Sequence, residues 1–170
     1  MNAAVKPPLD VGEPTLKDAM RQVAGGVSVI TAGVGEERTG LTATSAVSLS
    51  IAPPTMIVCV NREASAMPIL RLRRHFCVNV LSSRRRDVAD RFAGRGGVNG
   101  EARYVGANWI TLATGALALE DALAAIDCEI EEFIERHSHV ILIGAVRAVV
   151  VRPGRPLIYS QGDYGGLAPD

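Results

Sequence analysis

Little in this chain of 170 residues points to an extreme partner or environment. Aromatic residues make up 4%, too few for a platform on which nucleic-acid bases stack. The 18 basic and 18 acidic side chains cancel to a formal net charge of +0, so bulk charge supports neither a nucleic acid nor an anionic membrane as partner. No apolar run approaches the length of a membrane span. The opening stretch MNAAVKPPLDVGEP lacks the apolar core of a signal peptide. Three cysteines, Cys59, Cys77 and Cys128, form no CxxC pair. An odd number at wide spacing, each inside an apolar run, reads as buried free thiols in a reducing compartment. A cytoplasmic protein is therefore expected. A GxGxxG turn after a strand and a P-loop are also missing, which argues against a doubly wound nucleotide-binding sheet. So are a catalytic triad and a carboxylate pair.

What is present is a globular composition, with 48% hydrophobic and 21% charged residues. The length suffices for one full core and is too short for two ordinary domains. Residues 1–13, with Pro7, Pro8 and Gly12, read as a loose arm, and 14–170 as one domain. Thr15 suits the N-cap of a first helix whose apolar face is Leu16, Ala19, Met20 and Val23, ended by Gly25-Gly26. Residues 27–32 alternate as a strand, and 33–38 form a hairpin connection. A short helix carries Met67, Ile69, Leu70 and Leu72, with Pro68 in its first turn. Residues 75–81 (HFCVNVL) predict a strand buried on both faces. Ser82 or Ser83 is expected to cap a second short helix running to about Phe92, with the basic run Arg84-Arg85-Arg86 on a solvated face. Residues 94–106 read as a long loop. Strands follow at 115–119, 124–135, 140–151 and 156–159. The second and third of these form a long antiparallel pair. Many strands with only short helices between them predict a Greek-key antiparallel barrel.

The most informative stretch is 39–61, TGLTATSAVSLSIAPPTMIVCVN. Its first part is a run of small and hydroxyl-bearing residues; after Pro53-Pro54 comes a continuous apolar strand from Met56 to Val60, ending in Asn61. Small side chains let a backbone approach a flat ligand, and hydroxyls and amides can satisfy its polar edge. Half-exposed strands also use Thr freely, so spacing alone leaves a plain strand and a ligand-facing one both open.

The order of these pieces resembles the flavin reductase-like family, whose fold is the FMN-binding split barrel. The matching segments are GGVSVIT at 25–31, TGLTATSAVSLS at 39–50, VNREAS at 60–65, FCVNVLS at 76–82, RFA at 91–93, CEI at 128–130, HVILIGAV at 139–146 and PLIY at 156–159. Members are short-chain NAD(P)H:flavin reductases, small components of two-component monooxygenases. The resemblance implies a mainly β split barrel that transfers hydride from NADH or NADPH to FMN or FAD. It also implies a homodimer that hands reduced flavin to a partner monooxygenase. On this reading Thr42, Ala43, Thr44 and Ser45 lie along the isoalloxazine. Asn61 and Ser65 hold the ribityl chain and phosphate. Val78 and Asn79 lie near the flavin, Arg91 and Phe92 reach toward the cofactor tail, and Tyr159 stands near the ring.

For the nicotinamide side the resemblance implies His139. Where the family often has Gly-Asp-His, this chain has His137-Ser138-His139, so the His is kept and its neighbours are not. If 137 and 139 shared a strand face they would be half a metal site, but no third ligand stands at recognisable spacing, and a surface pair is the plainer reading. Lone His75 at a strand start reads as structural. Two other functions fit the same residues: a flavin-bound reductase of another acceptor, such as the corrinoid of the cobalamin pathway, and a flavin-binding protein without turnover.

Overall fold

The computed structural model describes residues 15–167, so the expected arm at 1–13 lies outside the described residues. Helix α1 (Leu16–Arg21) opens on a capping box, in which Thr15 and Asp18 bond each other's backbone amides. None of its residues is buried, and Leu16, Met20 and Val23 are exposed. The expected apolar face of this helix is therefore left exposed among the described residues, although the Gln161 amide donates to the Arg21 carbonyl at 2.9 Å. After the two-residue β1 (Gly25–Gly26) come β2 (Ser28–Ala32), β3 (Thr39–Ala43), β4 (Ala46–Ile51) and β5 (Pro54–Asn61). Helix α2 (Met67–Arg73) leads into β6 (His75–Val80), and α3 (Arg86–Phe92) follows. The expected Ser82 or Ser83 cap is not used: α3 starts after Arg85, with no side chain capping it. The expected loop at 94–106 holds two short 3-10 turns, Arg95–Gly97 and Gly100–Tyr104, and the second buries Arg103 and Tyr104. Strands β7 (Trp109–Thr111), β8 (Leu117–Leu119), β9 (Ala124–Arg136), β10 (His139–Val151), β11 (Leu157–Ser160) and β12 (Asp163–Gly166) complete the chain.

Seven strands form one antiparallel sheet in the order β3-β2-β6-β9-β10-β5-β4. Its two edges, β3 and β4, are consecutive in the chain, separated by Thr44 and Ser45 alone. Three peptide links reach about 10 Å at most. The sheet must therefore curl until its edges meet, and what results is a barrel whose seam carries Thr44 and Ser45. The Ser45 hydroxyl donates to the Cys59 carbonyl at 2.9 Å and fastens the seam to β5.

Strand period two then sorts the side chains. Ile30, Val58, Val60, Phe76, Val78, Val140 and Leu142 fill the barrel, closed at one end by Met67 and Leu70 of α2. A second core lies outside, where Val29, Leu81, Val88, Ala89, Phe92, Leu119 and Leu157 pack with Tyr104. Phe92, Tyr104 and Trp109 meet with ring centroids 4.7–5.6 Å apart. Gly40 makes this layer possible. A Cβ there would stand 2.5 Å from the Ile30 carbonyl oxygen and 2.7 Å from the Phe92 ring.

The outer face of β6 is polar and still buried. Asn79 donates to the Val29 carbonyl at 3.1 Å and to Thr31 Oγ1 at 3.2 Å, and accepts from the Leu119 amide at 2.6 Å. Asp127 accepts from the Thr114 amide at 2.7 Å and from its hydroxyl at 2.5 Å. His75 Nε2 accepts from the Gly33 amide at 3.2 Å. These bonds tie β8 and its approach to the barrel wall. The cysteines are free; burial raises the Cys77 thiol and pushes Cys128 up to about 12, so both stay protonated.

Two stability measurements follow. Gly40→Ala forces the Phe92 ring and the β2 backbone apart, and should lower unfolding free energy by about 1–3 kcal/mol; an unchanged urea midpoint would contradict this packing. His75 is held neutral because burial lowers its pKa from 6.5, against a smaller upward pull from Asp127. The unfolded chain therefore binds this proton first, and stability should fall as pH drops below that value. The pH dependence below neutrality should be shallower in His75→Gln than in the parent, and an equal slope in both would refute it.

Candidate functional site

The barrel seam opens into a pocket of about 240 Å³ lined by Val27, Thr42, Ala43, Thr44, Ala93, Arg95, Tyr159 and Tyr164. Four residues singled out in the sequence, Thr42, Ala43, Thr44 and Tyr159, come together here. Thr42 turns its hydroxyl to the Ala89 carbonyl at 2.6 Å, which holds α3 against β3 and leaves its methyl-bearing side free. Gly25 runs beside Thr44; a Cβ on it would meet the Thr44 Cβ at 3.0 Å. One wall is thus backbone, small side chains and hydroxyls. The opposite wall is aromatic, with Tyr159 and Tyr164 edge to face at 5.4 Å. Arg86 and Arg95 lie over the Tyr164 ring at 5.3 and 5.4 Å, and Arg95 is paired with Asp90 at 2.8 Å. Burial, then Asp90, pushes the Tyr164 phenol above its ordinary pKa, so it remains a neutral donor.

The strip continues along the seam. Ala46 lies opposite Val58 and His139 opposite Asn61, so Thr44 and Ser45 lead toward Asn61 and His139. Asn61 Oδ1 accepts from the Glu63 amide at 2.9 Å and shapes the turn to Ser65, which is exposed. The β9–β10 hairpin tip is held beside it: the Arg62 amide donates to the Ser138 carbonyl at 3.0 Å, and Arg62 and Arg71 both reach Glu135, at 2.8 and 2.7 Å. His139 is exposed, with Nδ1 2.9 Å from the Ser138 hydroxyl. His137 has φ +49° and occupies the turn, so it shares no strand face with His139, which corrects that pairing.

Four expected residues stand elsewhere. Val78 is inside the barrel and Asn79 is the hub of the buried polar network; neither side chain reaches the pocket. Phe92 is buried in the outer core, and Arg91 pairs with Asp87 at 2.8 Å while packing on Gly106. The motif around them is still informative, since the next residue, Ala93, does line the pocket. Arg95 and Tyr164 were missed. A signal for Tyr164 existed in Gln161-Gly162, whose positive φ values of 54° and 91° make the two-residue β11–β12 hairpin.

A seven-stranded antiparallel sheet that closes at a seam, with a pocket there of one small polar wall and one aromatic wall, defines a split barrel. The chain belongs to the family of the flavin reductase like domain, whose model matches residues 20–168. It is 39% identical over 158 residues, 92% of this chain and 91% of the other, to a protein of Methylorubrum extorquens (strain PA1) named FMN reductase (NADH) RutF 2. The NADH:FAD oxidoreductase SgcE6 of Streptomyces globisporus superposes with a TM-score of 0.84 at 29% identity, covering 96% of this chain and all of that one. The same protein has been solved with NAD and FAD fragments. BorF, the flavin reductase component of a bacterial two-component tryptophan halogenase, gives 0.83 at 29% identity, with coverages of 91% and 98%.

The residues present suit a flavin: there is room for a planar ring against small side chains, and hydroxyls and amides for its polar edge. Ser45→Leu removes the seam hydrogen bond and places bulk where the strip turns. Flavin affinity, read by fluorescence titration, should fall at least about tenfold, equivalent to about 1.4 kcal/mol. Unchanged affinity would move the ring away from this strip.

Proposed function

We propose that this protein is an NADH-dependent FMN reductase. The observation that carries the reading is the Thr42-Ala43-Thr44 strip facing Tyr159 and Tyr164 across the seam pocket, in a chain of this family. Relatives named as NADH-dependent FMN reductases favour this cofactor pair, while FAD in solved neighbours keeps the larger flavin as an alternative. Bound together, nicotinamide and flavin supply hydride transfer themselves.

The chain's part is to place the rings. Thr42 to Ser45 offer amides and hydroxyls to the ring's polar edge. Tyr159 and Tyr164 limit the opposite side. Asn61 and Ser65 lie at the other end of the strip, where the ribityl phosphate extends. His139, at the exposed hairpin tip, approaches from the nicotinamide side. Nothing in this arrangement calls for a nucleophile or a general acid, and orientation can contribute on the order of 7 kcal/mol. The shallow seam, made of backbone and small side chains, also suits a flavin that leaves once reduced. Its receiver is a partner monooxygenase reached by diffusion.

The protein works as a homodimer on this reading. Val47, Leu49 and Ile51 lie along edge strand β4, which bulges between Ser48 and Ser50, and are 53%, 53% and 83% exposed. A second copy covers such a stripe, beside the seam. Among the described residues no helix is long and apolar enough to cross a membrane, and the unpaired thiols favour the cytoplasm.

The test is steady-state NADH oxidation by the purified protein with and without added FMN. Oxidation that requires and saturates with free FMN is expected, and His139→Ala should raise KM for NADH more than Kd for FMN. No oxidation with or without added FMN would overturn the reading, and the reverse effect of His139→Ala would move that residue to the flavin side.

A further inference from the structure

One residue beyond the Leu81–Leu157 pairing, a second cavity of about 480 Å³ is lined by residues 82–84, Asp121, Leu123 and residues 152–155. It shares no lining residue with the seam pocket. Its frame is rigid. The Ser83 amide donates to the Arg155 carbonyl at 2.8 Å, Arg152 to Leu123 at 2.8 Å, and Leu123 to Val80 at 2.9 Å. Gly154 closes it, since a Cβ there would lie 2.5 Å from Leu123 Cδ2.

Three arginines, Arg84, Arg152 and Arg155, are among the residues that line this cavity. Among the described residues none of the three has a carboxylate within ion-pairing distance. The one acidic residue in the lining, Asp121, is already held by Arg85 Nε at 2.7 Å. Arg152 Nη1 is buried and has no acceptor. A buried guanidinium N–H without a partner is costly, and three like charges around one space repel. Both penalties vanish if the space holds an oxyanion carrying more than one negative charge. Guanidinium forks match phosphate oxygens, and the Ser82 and Ser83 hydroxyls add donors. The volume falls within the roughly 300–1,000 Å³ of small-ligand sites.

We propose that this cavity is a binding site for a small phosphate-bearing anion, held by Arg152 with Arg84 and Arg155. The site is separate from the seam and does not depend on the reductase reading. Titration calorimetry of the full chain with inorganic pyrophosphate should show one saturable site per chain. Arg155→Gln and Arg84→Gln, at exposed positions that leave folding intact, should each weaken it by about tenfold, and Arg152→Gln by at least as much. FMN affinity in Arg155→Gln should stay at the parent value. Parallel titrations with phosphate and ADP identify the source: tighter binding of ADP than of pyrophosphate marks a nucleotide, and equal binding marks the inorganic anion. Absence of pyrophosphate binding at millimolar concentration, parental binding by Arg155→Gln, or displacement of pyrophosphate by FMN would each overturn the proposal.

Discussion

The closure of the barrel by two residues is the constraint on which the rest depends. β3 and β4 are neighbours in the chain and opposite edges of the sheet, so Thr44 and Ser45 must span the seam. Backbone there is not consumed by a regular ladder, because the two edges do not pair with each other. Unpaired amides and carbonyls at a sheet edge are a liability unless something uses them. Here the Ser45 hydroxyl takes the Cys59 carbonyl, and what remains faces the pocket. A continuous barrel with a paired seam would have had no such polar strip to offer a ring.

The seam keeps its shape because both of its flanks are anchored from outside. On one flank Gly40 admits the Phe92 ring against β3, and Thr42 donates to the Ala89 carbonyl, so α3 is fastened to β3. Tyr104 donates to the Thr39 carbonyl at 2.6 Å, and Arg103 donates to that of Gly40, extending the same clamp from the 3-10 turn. On the other flank Arg62 and Arg71 converge on Glu135 and hold the β9–β10 tip beside Asn61. These exposed ion pairs are individually weak. Their effect lies in the register they hold, since the hairpin tip carries His139.

Strand period and composition made the barrel legible, because β2, β5, β6 and β10 carry apolar residues in runs that few other folds accommodate. The seam strip was legible too, through its hydroxyls and small residues. What escaped were features set by tertiary packing. The exposure of α1 cannot be read from its amphipathic pattern, which is that of a buried helix. Asn79 sits in a motif with flavin-proximal neighbours, yet strand parity turns it outward to Val29, Thr31 and Leu119. Arg95 reaches the pocket from a Gly-rich 3-10 turn and Tyr164 from the short strand β12, and neither segment is long enough to show a periodicity.

The hairpin tip shows how one substitution in a motif can be absorbed by the fold. Position 137 is the first of a two-residue turn, with φ +49°, a conformation that glycine adopts freely and a side chain adopts at a cost of about 1–2 kcal/mol. The turn is kept nonetheless, because twelve residue pairs between β9 and β10 fix both its ends. The Ser138 carbonyl is also held by the Arg62 amide. The hairpin therefore dictates the backbone at 137, whichever residue is present. The missing acidic side chain at 138 is a different matter. Ser138 places a neutral hydroxyl 2.9 Å from His139 Nδ1. The hairpin thus fixes the backbone of the tip, while residue 138 decides which group stands beside His139, the side on which the nicotinamide approaches in the proposed reaction.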